Sequence, residues 1–203
     1  MAGSFHLARY SDSKIAGALI FVGSAQFFIA LIVAEALYPG YSVAQNFISD
    51  LGATCRAGCV VMQPTATIFD SSVTILGFMV IVSTYFIKRR FKSLVLTVVM
   101  IMTGLGGAGV GVFPETTGVI HVIVSMITFV FAGLSAIAFA YKVQKAPLSY
   151  FSVLLGVMTL VALGLFVSGS YLGLGPGGME RMIAYPALIW GVGSGAGLMF
   201  SEK

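Results

Sequence analysis

Four residues of this chain carry side chains that could together catalyse hydrolysis or group transfer: Ser49, Asp50, His121 and Arg181. His121 could act as a general base, because imidazole exchanges a proton readily near neutral pH. Asp50 could orient that imidazole or activate a water molecule. Arg181 could hold a phosphate or an oxyanion through its planar guanidinium. Ser49 is a candidate nucleophile beside Asp50, although no feature of the sequence marks it as activated.

A second set of polar residues is expected to bind the polar part of a substrate. It consists of Asn46, Asp70, Glu35, Glu115 and Glu180. A variant of the site would hold a metal with His121 and carboxylates, namely Asp50, Asp70 or Glu115. The chain has two histidines, which argues against a multi-histidine metal or haem site. We therefore assign no metal ligand and leave the cofactor open.

The amino-acid composition indicates the class of protein, soluble or membrane-spanning, in which these residues are positioned. Of the 203 residues, 58% are hydrophobic and 9% are charged, whereas a soluble domain carries about 25% charged residues. A soluble enzyme is excluded because so few charges cannot build a water-facing surface, and a disordered protein would have far fewer apolar residues. Six membrane helices of about 20 residues would need about 120 apolar positions. Since 58% of 203 residues is about 118, the composition predicts a membrane protein with about six spans.

Six long apolar runs follow one another along the chain without the alternation of a β-barrel. The predicted spans are about 15–37, 65–87, 93–113, 117–141, 147–172 and 181–200. The first run is longer than the apolar part of a signal peptide, so we expect it to be retained. The glycine-rich segment 173–178 should not continue a helix. The predicted fold class is all-α, with residues 1–203 forming a single six-helix transmembrane domain.

Lysine and arginine are distributed unevenly over the connections. With the N-terminus inside, nine of the eleven lie on the inner side: Arg9, Lys14, Lys88, Arg89, Arg90, Lys92, Lys142, Lys145 and Lys203. Arg56 and Arg181 fall outside. This bias predicts a multi-pass protein of the cell membrane with both termini in the cytoplasm. The net charge of +4 then reflects contact with anionic lipid rather than with nucleic acid.

The acidic residues show the opposite bias, since five of the seven fall at the outer side. Glu35, Asp70 and His121 lie within predicted spans near their outer ends. Ionisable groups at that depth are costly and should face the bundle interior with a partner. The sequence therefore predicts a polar pocket that opens to the outside.

The first outer connection is too long for a simple turn. Within residues 42–52, Val43, Phe47, Ile48 and Leu51 fall at helical spacing. This pattern predicts a short helix at the membrane surface that holds Asp50 over the pocket. Farther along the connection are Cys55 and Cys59, for which a disulfide is favoured on the oxidising side. Free or redox-active thiols and a metal site are the alternatives.

Glycines spaced four apart occur in the third and sixth predicted helices. The pairs are Gly107/Gly111, Gly191/Gly195 and Gly193/Gly197. Small residues at this spacing let helices approach closely in lipid. The contact could form within the chain, in a homo-oligomer or with a partner membrane subunit.

Several elements occur in an order that resembles a known family. They are Asn-Phe-Ile-Ser-Asp-Leu-Gly at 46–52, Phe69-Asp70, Gly-Val-Phe-Pro at 111–114 with His121, and Glu180-Arg181. Together they resemble the prokaryotic six-span membrane family catalogued as domain of unknown function 998, in which Asn often replaces Asp70. More distantly, Ser49-Asp50-x-Gly52 and His121 are similar to patterns in DRAM-type and GPI-lipid-remodelling membrane proteins. The resemblance implies a six-helix fold and the handling of lipid, and it implies no particular reaction.

These observations leave more than one function open. The first is a lipid-modifying enzyme, of hydrolase or transferase type, at the outer leaflet. The alternative is a non-catalytic lipid-binding protein or an accessory subunit of a larger complex. A charge-coupled transporter is disfavoured because the middles of the spans hold no ionisable residue. A purely structural role would make Asp50–Arg181 and Glu35–His121 ion pairs that tie loops to helix ends.

Overall fold

The computed structural model describes residues 11–56 and 58–200, and it is built from six α-helices. Their bounds are α1 Asp12–Leu37, α2 Thr65–Phe91, α3 Leu94–Val112, α4 Val119–Lys142, α5 Leu148–Val167 and α6 Gly175–Phe200. No strand forms within these residues; Thr54 and Val60 form an isolated antiparallel bridge. All six helices are long and apolar enough to cross a membrane. The predicted fold class is confirmed, and the protein is a multi-pass membrane protein.

The helices form a closed ring, in which each helix packs on the next along the chain and α6 packs on α1. Glycines permit the closest of these approaches. A Cβ at Gly17 of α1 would lie 2.6 Å from the carbonyl oxygen of Gly195 on α6, and a Cβ at Gly104 of α3 would lie 2.8 Å from that of Gly77 on α2. Small residues in α3 and α6 thus serve contacts between helices of this chain.

The last helix begins at Gly175, six residues before the predicted start at Arg181. Of the segment predicted to break the helix, residues 175–178 are instead its first turn, and Gly173 and Leu174 precede it. Pro176 fits there because the first turn needs no backbone N–H from it. The N–H groups of Gly177 and Gly178 donate to the carbonyl of Ala44, at 3.0 and 3.4 Å, so their partners come from the first connection.

The fifth helix ends at Val167, five residues before the predicted end at Leu172. Ser168 is its C-cap, and Gly169 follows with a φ of +74°. A glycine in the left-handed region just after the cap is a frequent helix stop. The apolar pattern extends through this stop, which is why hydropathy alone placed the end too late.

The two ends of the ring differ in character. We call the end with the connections after α1, α3 and α5, together with the helix turns that adjoin them, the polar end. The described residues of these connections are 38–56, 58–64, 113–118 and 168–174. The opposite end, the basic end, carries Lys88, Arg89, Arg90, Lys92, Lys142 and Lys145. Arg9, Glu202 and Lys203, which the sequence placed on the inner side, and His6 lie outside the described residues.

The predicted surface helix over residues 42–52 does not form. The segment consists of turns and one 3-10 turn at Ser49–Leu51. Side chains take up backbone groups that a helix would use: Asn46 Oδ1 accepts the Ser42 N–H at 3.0 Å, and a carboxylate oxygen of Asp50 accepts the Phe47 N–H at 2.8 Å. Such side-chain bonds offer the backbone an alternative to a helix.

Candidate functional site

Arg181 joins three parts of the polar end and is 4% exposed. Its guanidinium donates to Glu35 Oε1 at 3.2 and 2.6 Å and to the Tyr41 hydroxyl at 2.6 Å. Nη1 also donates to three backbone carbonyls, those of Val43, Asn46 and Gly177, at 2.9 to 3.1 Å. All three guanidinium nitrogens are therefore engaged inside the protein. Arg181 clamps the first connection between α1 and α6.

Asp50 is 1% exposed, and its Oδ2 accepts three hydrogen bonds. The donors are Asn46 Nδ2 at 2.9 Å, the Phe47 N–H at 2.8 Å and Arg56 Nη2 at 3.2 Å. Arg56 also lies 4.6 Å over the Phe47 ring. Among the described residues, Oδ1 has no hydrogen-bond partner. The ion pairs at this end are Asp50–Arg56 and Glu35–Arg181, and not the pairs Asp50–Arg181 and Glu35–His121 that a purely structural role would make.

Ser49 donates its hydroxyl to Glu115 Oε1 at 2.6 Å, across the interface between the first and second connections of the polar end. The Cys55 N–H donates to the other oxygen of Glu115 at 3.3 Å. Burial raises the pKa of the Glu115 carboxyl, and the hydrogen bond from Ser49 works in the opposite direction. Ser49 therefore lies against a carboxylate, and that carboxylate is Glu115 rather than Asp50.

Two carboxyl groups of the polar end come from helices. Glu180 on α6 is buried, and its Oε2 accepts the Ile48 N–H at 2.5 Å. Asp70 on α2 lies beside Gly52, where a Cβ would approach Asp70 Oδ1 to 2.5 Å. Asp70 Oδ1 has no hydrogen-bond partner among the residues described. Glu180 thus fixes the first connection on α6, whereas Asp70 packs beneath it on α2.

His121 on α4 is 7% exposed, and its two ring nitrogens have different partners. Nδ1 lies 2.8 Å from the carbonyl oxygen of Phe113. A carbonyl only accepts, so Nδ1 carries the proton. In the neutral imidazole, Nε2 is then the acceptor, and it lies 3.3 Å from Ser125 Oγ. Ser125 is not among the residues that the sequence singled out. Its position four residues after His121 places it on the same helix face, and this spacing is the signal in the sequence that indicates the pair.

A cavity of about 110 Å³ lies inside the ring of helices. Its walls are mainly apolar, with Phe27, Val80, Met100 and Trp190 among them. Ser49, Ser125 and Glu180 also line it. On α6 the lining extends from Glu180 to beyond Trp190, which is about 15 Å at 1.5 Å per residue. The predicted polar pocket is replaced by an apolar cavity, because most polar groups of this end satisfy one another.

The ligand set for the metal variant is absent from the part of the chain that the structure describes. Within residues 11–56 and 58–200, no three His, Cys, Asp or Glu residues come together in an arrangement that could hold a metal ion. His121 has its two nitrogens on Phe113 and Ser125. Cys55 and Cys59 form the predicted disulfide, which closes the short loop that carries Arg56.

The chain matches a known protein family over most of its length. The model of the family described as "Protein of unknown function (DUF998)" matches residues 21–196. The chain belongs to this family. No curated protein and no solved structure matches it. The more distant similarity to DRAM-type and GPI-lipid-remodelling proteins receives no support from these comparisons.

In this DUF998 protein, two hydroxyl groups of the cavity wall are each paired with an ionisable side chain. Ser49 is paired with Glu115, and Ser125 with His121. Of the residues that the sequence proposed as catalytic, Ser49 borders the cavity and His121 reaches it through Ser125. Asp50 and Arg181 instead hold the first connection in place. The arrangement offers an apolar chamber with proton-exchanging groups along part of its wall.

Proposed function

We propose that this DUF998 protein binds a membrane lipid, with an acyl chain in the central cavity and the polar part of the lipid near Ser49, Ser125 and Glu180. One observation carries the proposal: the cavity inside the helix ring is mainly apolar, and the carboxyl group of its lining, that of Glu180, lies toward the polar end with the hydroxyls of Ser49 and Ser125. The rest of the polar lining consists of helix hydroxyls, those of Ser24, Thr103, Thr128 and Ser135. An amphiphile matches this lining, because its chain packs against apolar side chains and its ester or head group needs hydrogen-bond partners.

The size of the cavity supports a chain rather than a whole lipid. An engineered apolar cavity of about 150 Å³ takes up benzene, so a cavity of about 110 Å³ has room for a segment of an acyl chain. The head group would remain toward the polar end, beside the first connection.

The proposal includes an orientation. We propose that the polar end faces the outside of the cell membrane and that both termini are cytoplasmic. The support is the cluster of six lysines and arginines at the basic end, Lys88, Arg89, Arg90, Lys92, Lys142 and Lys145, since cytoplasmic connections are rich in these residues. A membrane-impermeant thiol reagent tests this with single cysteines at Tyr150 and Leu172, in a chain whose native cysteines are serines. Labelling of Leu172→Cys alone in intact cells is expected, and labelling of Tyr150→Cys alone would reverse the orientation.

Lipid binding can be measured with the single tryptophan of the chain, because Trp190 lines the cavity. A phospholipid with a dibrominated acyl chain, added to the purified protein in detergent, is expected to quench Trp190 fluorescence in a saturable manner. Val80→Phe puts a ring into the cavity wall. Val161→Phe is the matched control, because Val161 is 57% exposed on α5 and does not line the cavity.

The expected result is at least a tenfold weaker apparent affinity for Val80→Phe and an unchanged affinity for Val161→Phe. Circular dichroism and gel filtration check that both variants are folded. Equal quenching curves for the two variants and the unmodified chain would show that lipid reaches Trp190 from outside the ring, and the proposal would be wrong. Stoichiometric co-purification of another membrane protein, without saturable quenching, would favour an accessory subunit instead.

A further inference from the structure

We infer that Ser125 is an acyl-accepting nucleophile with His121 as its base, so that the bound lipid is an ester substrate and the protein is an acyl hydrolase. The inference rests on the proposed lipid binding and names the reaction of that site. It is carried by the Ser125–His121 hydrogen bond and by the position of Ser125 in the cavity wall.

The half-buried hydroxyl of Ser125 does not make the hydrogen bond that is most common for serine and threonine within a helix. The hydroxyls of Ser72, Ser83 and Thr84 donate to backbone carbonyls one turn earlier, at 2.7 to 2.9 Å, the common arrangement in a helix. Ser125 Oγ instead lies 3.3 Å from His121 Nε2. Catalytic hydrogen bonds of this length are usual before substrate binds and shorten in the complex.

The imidazole is oriented for the role of a base. The Phe113 carbonyl fixes the proton on Nδ1 and leaves Nε2 free to accept. In serine hydrolases a buried carboxylate usually holds that N–H and stabilises the imidazolium. Here the Phe113 carbonyl holds it. The dipole of that carbonyl would stabilise the cation that forms when His121 takes the serine proton.

The proposed reaction consists of two proton-balanced steps. Ser125 Oγ attacks the ester carbonyl carbon while its proton passes to His121 Nε2. The bond to the lipid alkoxide breaks, and that alkoxide takes the proton from Nε2 and leaves as an alcohol. Water then attacks the acyl–Ser125 ester and gives a proton to Nε2. The bond to Ser125 breaks, its oxygen recovers the proton, and the fatty acid is released without any redox change.

Ser49 is the natural control, because it lines the same cavity. Its hydroxyl donates to Glu115 at 2.6 Å, and no histidine accepts from it within the described residues. A reagent that enters the cavity therefore meets two serines in one chamber, of which one is paired with an imidazole. The difference between them isolates the effect of His121 from that of access.

The experiment uses an alkyl fluorophosphonate, which phosphonylates activated serines and needs no known substrate. The full-length protein in detergent is treated with this probe, and the adduct is measured by intact mass and located by peptide mapping. We expect one adduct on Ser125, none on Ser125→Ala and an unchanged rate for Val161→Phe, whose site does not line the cavity. His121→Gln should react at least a hundredfold more slowly, because a general base contributes about 10²–10⁴-fold.

Trp190 quenching by the brominated lipid, measured on the same samples, separates this inference from the proposed function. Saturable quenching without an adduct, or with an adduct on Ser49, would overturn the assignment of Ser125 and leave lipid binding standing. Loss of saturable quenching in the unmodified protein would overturn the binding proposal itself. An adduct that persists in His121→Gln at the original rate would remove His121 from the mechanism.

Discussion

Arg181→Gln removes the guanidinium that holds the first connection between α1 and α6. The side chain of Arg181 is 5% exposed and donates to Glu35, to Tyr41 and to three backbone carbonyls. Removing one partner of a buried ion pair costs about 3–5 kcal/mol, because the other charge stays buried without compensation. Glutamine can replace only a fraction of the hydrogen bonds, so the lost contacts to the first connection add to this cost.

The expected change can be expressed as a melting temperature. For a chain of about 200 residues, 1 kcal/mol corresponds to about 2–4 °C, so the loss predicts a fall of about 10 °C. Arg89→Gln is the matched control, because its ion pair with Asp12 is also short, at 3.3 Å, but the Arg89 and Asp12 side chains are 56% and 27% exposed. Exposed pairs contribute up to about 1 kcal/mol, which corresponds to a fall of about 3 °C or less. Thermal unfolding in detergent, followed by Trp190 fluorescence, measures both variants.

Two outcomes would refute this reasoning. If the two variants melted at the same temperature, burial of Arg181 would not be what makes its contacts stabilising. The double variant Glu35→Gln/Arg181→Gln provides the second test. It should be less destabilised than the sum of the single variants, because no unpaired charge remains in the protein. An additive result would mean that Glu35 and Arg181 do not stabilise each other.

Three further predictions concern the stability of the polar end. Burial raises the pKa of Glu115 above its ordinary value of 4.5, so ionisation of this group destabilises the folded protein as the pH rises through that pKa. The melting temperature of Glu115→Gln relative to the unmodified chain should therefore increase as the pH is raised from 4.5, and a decrease would contradict this. Gly177→Ala places a methyl group against the Asn46 carbonyl and should cost about 1–3 kcal/mol; Gly193→Ala, with no atom within 4 Å of the new Cβ, should not lower the melting temperature. Reducing the Cys55–Cys59 disulfide should lower the stability by about 2 kcal/mol, as expected for so short a loop, and an unchanged melting temperature with reductant would count against it.

The sequence predicts the helices well because the membrane imposes one simple requirement on each. A span must be long and apolar, and this is visible in the composition of every window. The boundaries are less predictable, because they depend on distant groups. Gly175 can begin α6 since the Ala44 carbonyl accepts from Gly177 and Gly178. No pattern near residue 175 contains that information.

In the candidate site too, general position can be predicted from the sequence, whereas contacts with distant groups cannot. Charge sorting correctly predicts that residues such as Glu35, Glu115 and Glu180 lie at one end of the helix ring. It cannot predict their partners, because position around the ring depends on how each helix is rotated in its packing. The structural alternative pairs Glu35 with His121 on residue types alone, whereas the structure pairs Glu35 with Arg181. The prediction of a helix over residues 42–52 is wrong for a similar reason. The apolar spacing is visible in the sequence, but the hydrogen bonds between backbone N–H groups and the side chains of Asn46 and Asp50 are not.

The contacts of Arg181 and Asp50 give these two residues a positioning role, which their residue types alone do not indicate. The most polar side chains, those of Arg181 and Asp50, are buried in contacts that fix the first connection on α1 and α6. That connection carries Ser49 to the cavity wall, and its Ile48 N–H holds Glu180 there. The strong charges therefore position the lining, and the weaker groups that remain on the cavity wall are the ones a lipid would meet. The strongly charged residues thus stabilise the first connection, whereas Ser125, which is hydrogen-bonded to His121, lies on the cavity wall itself.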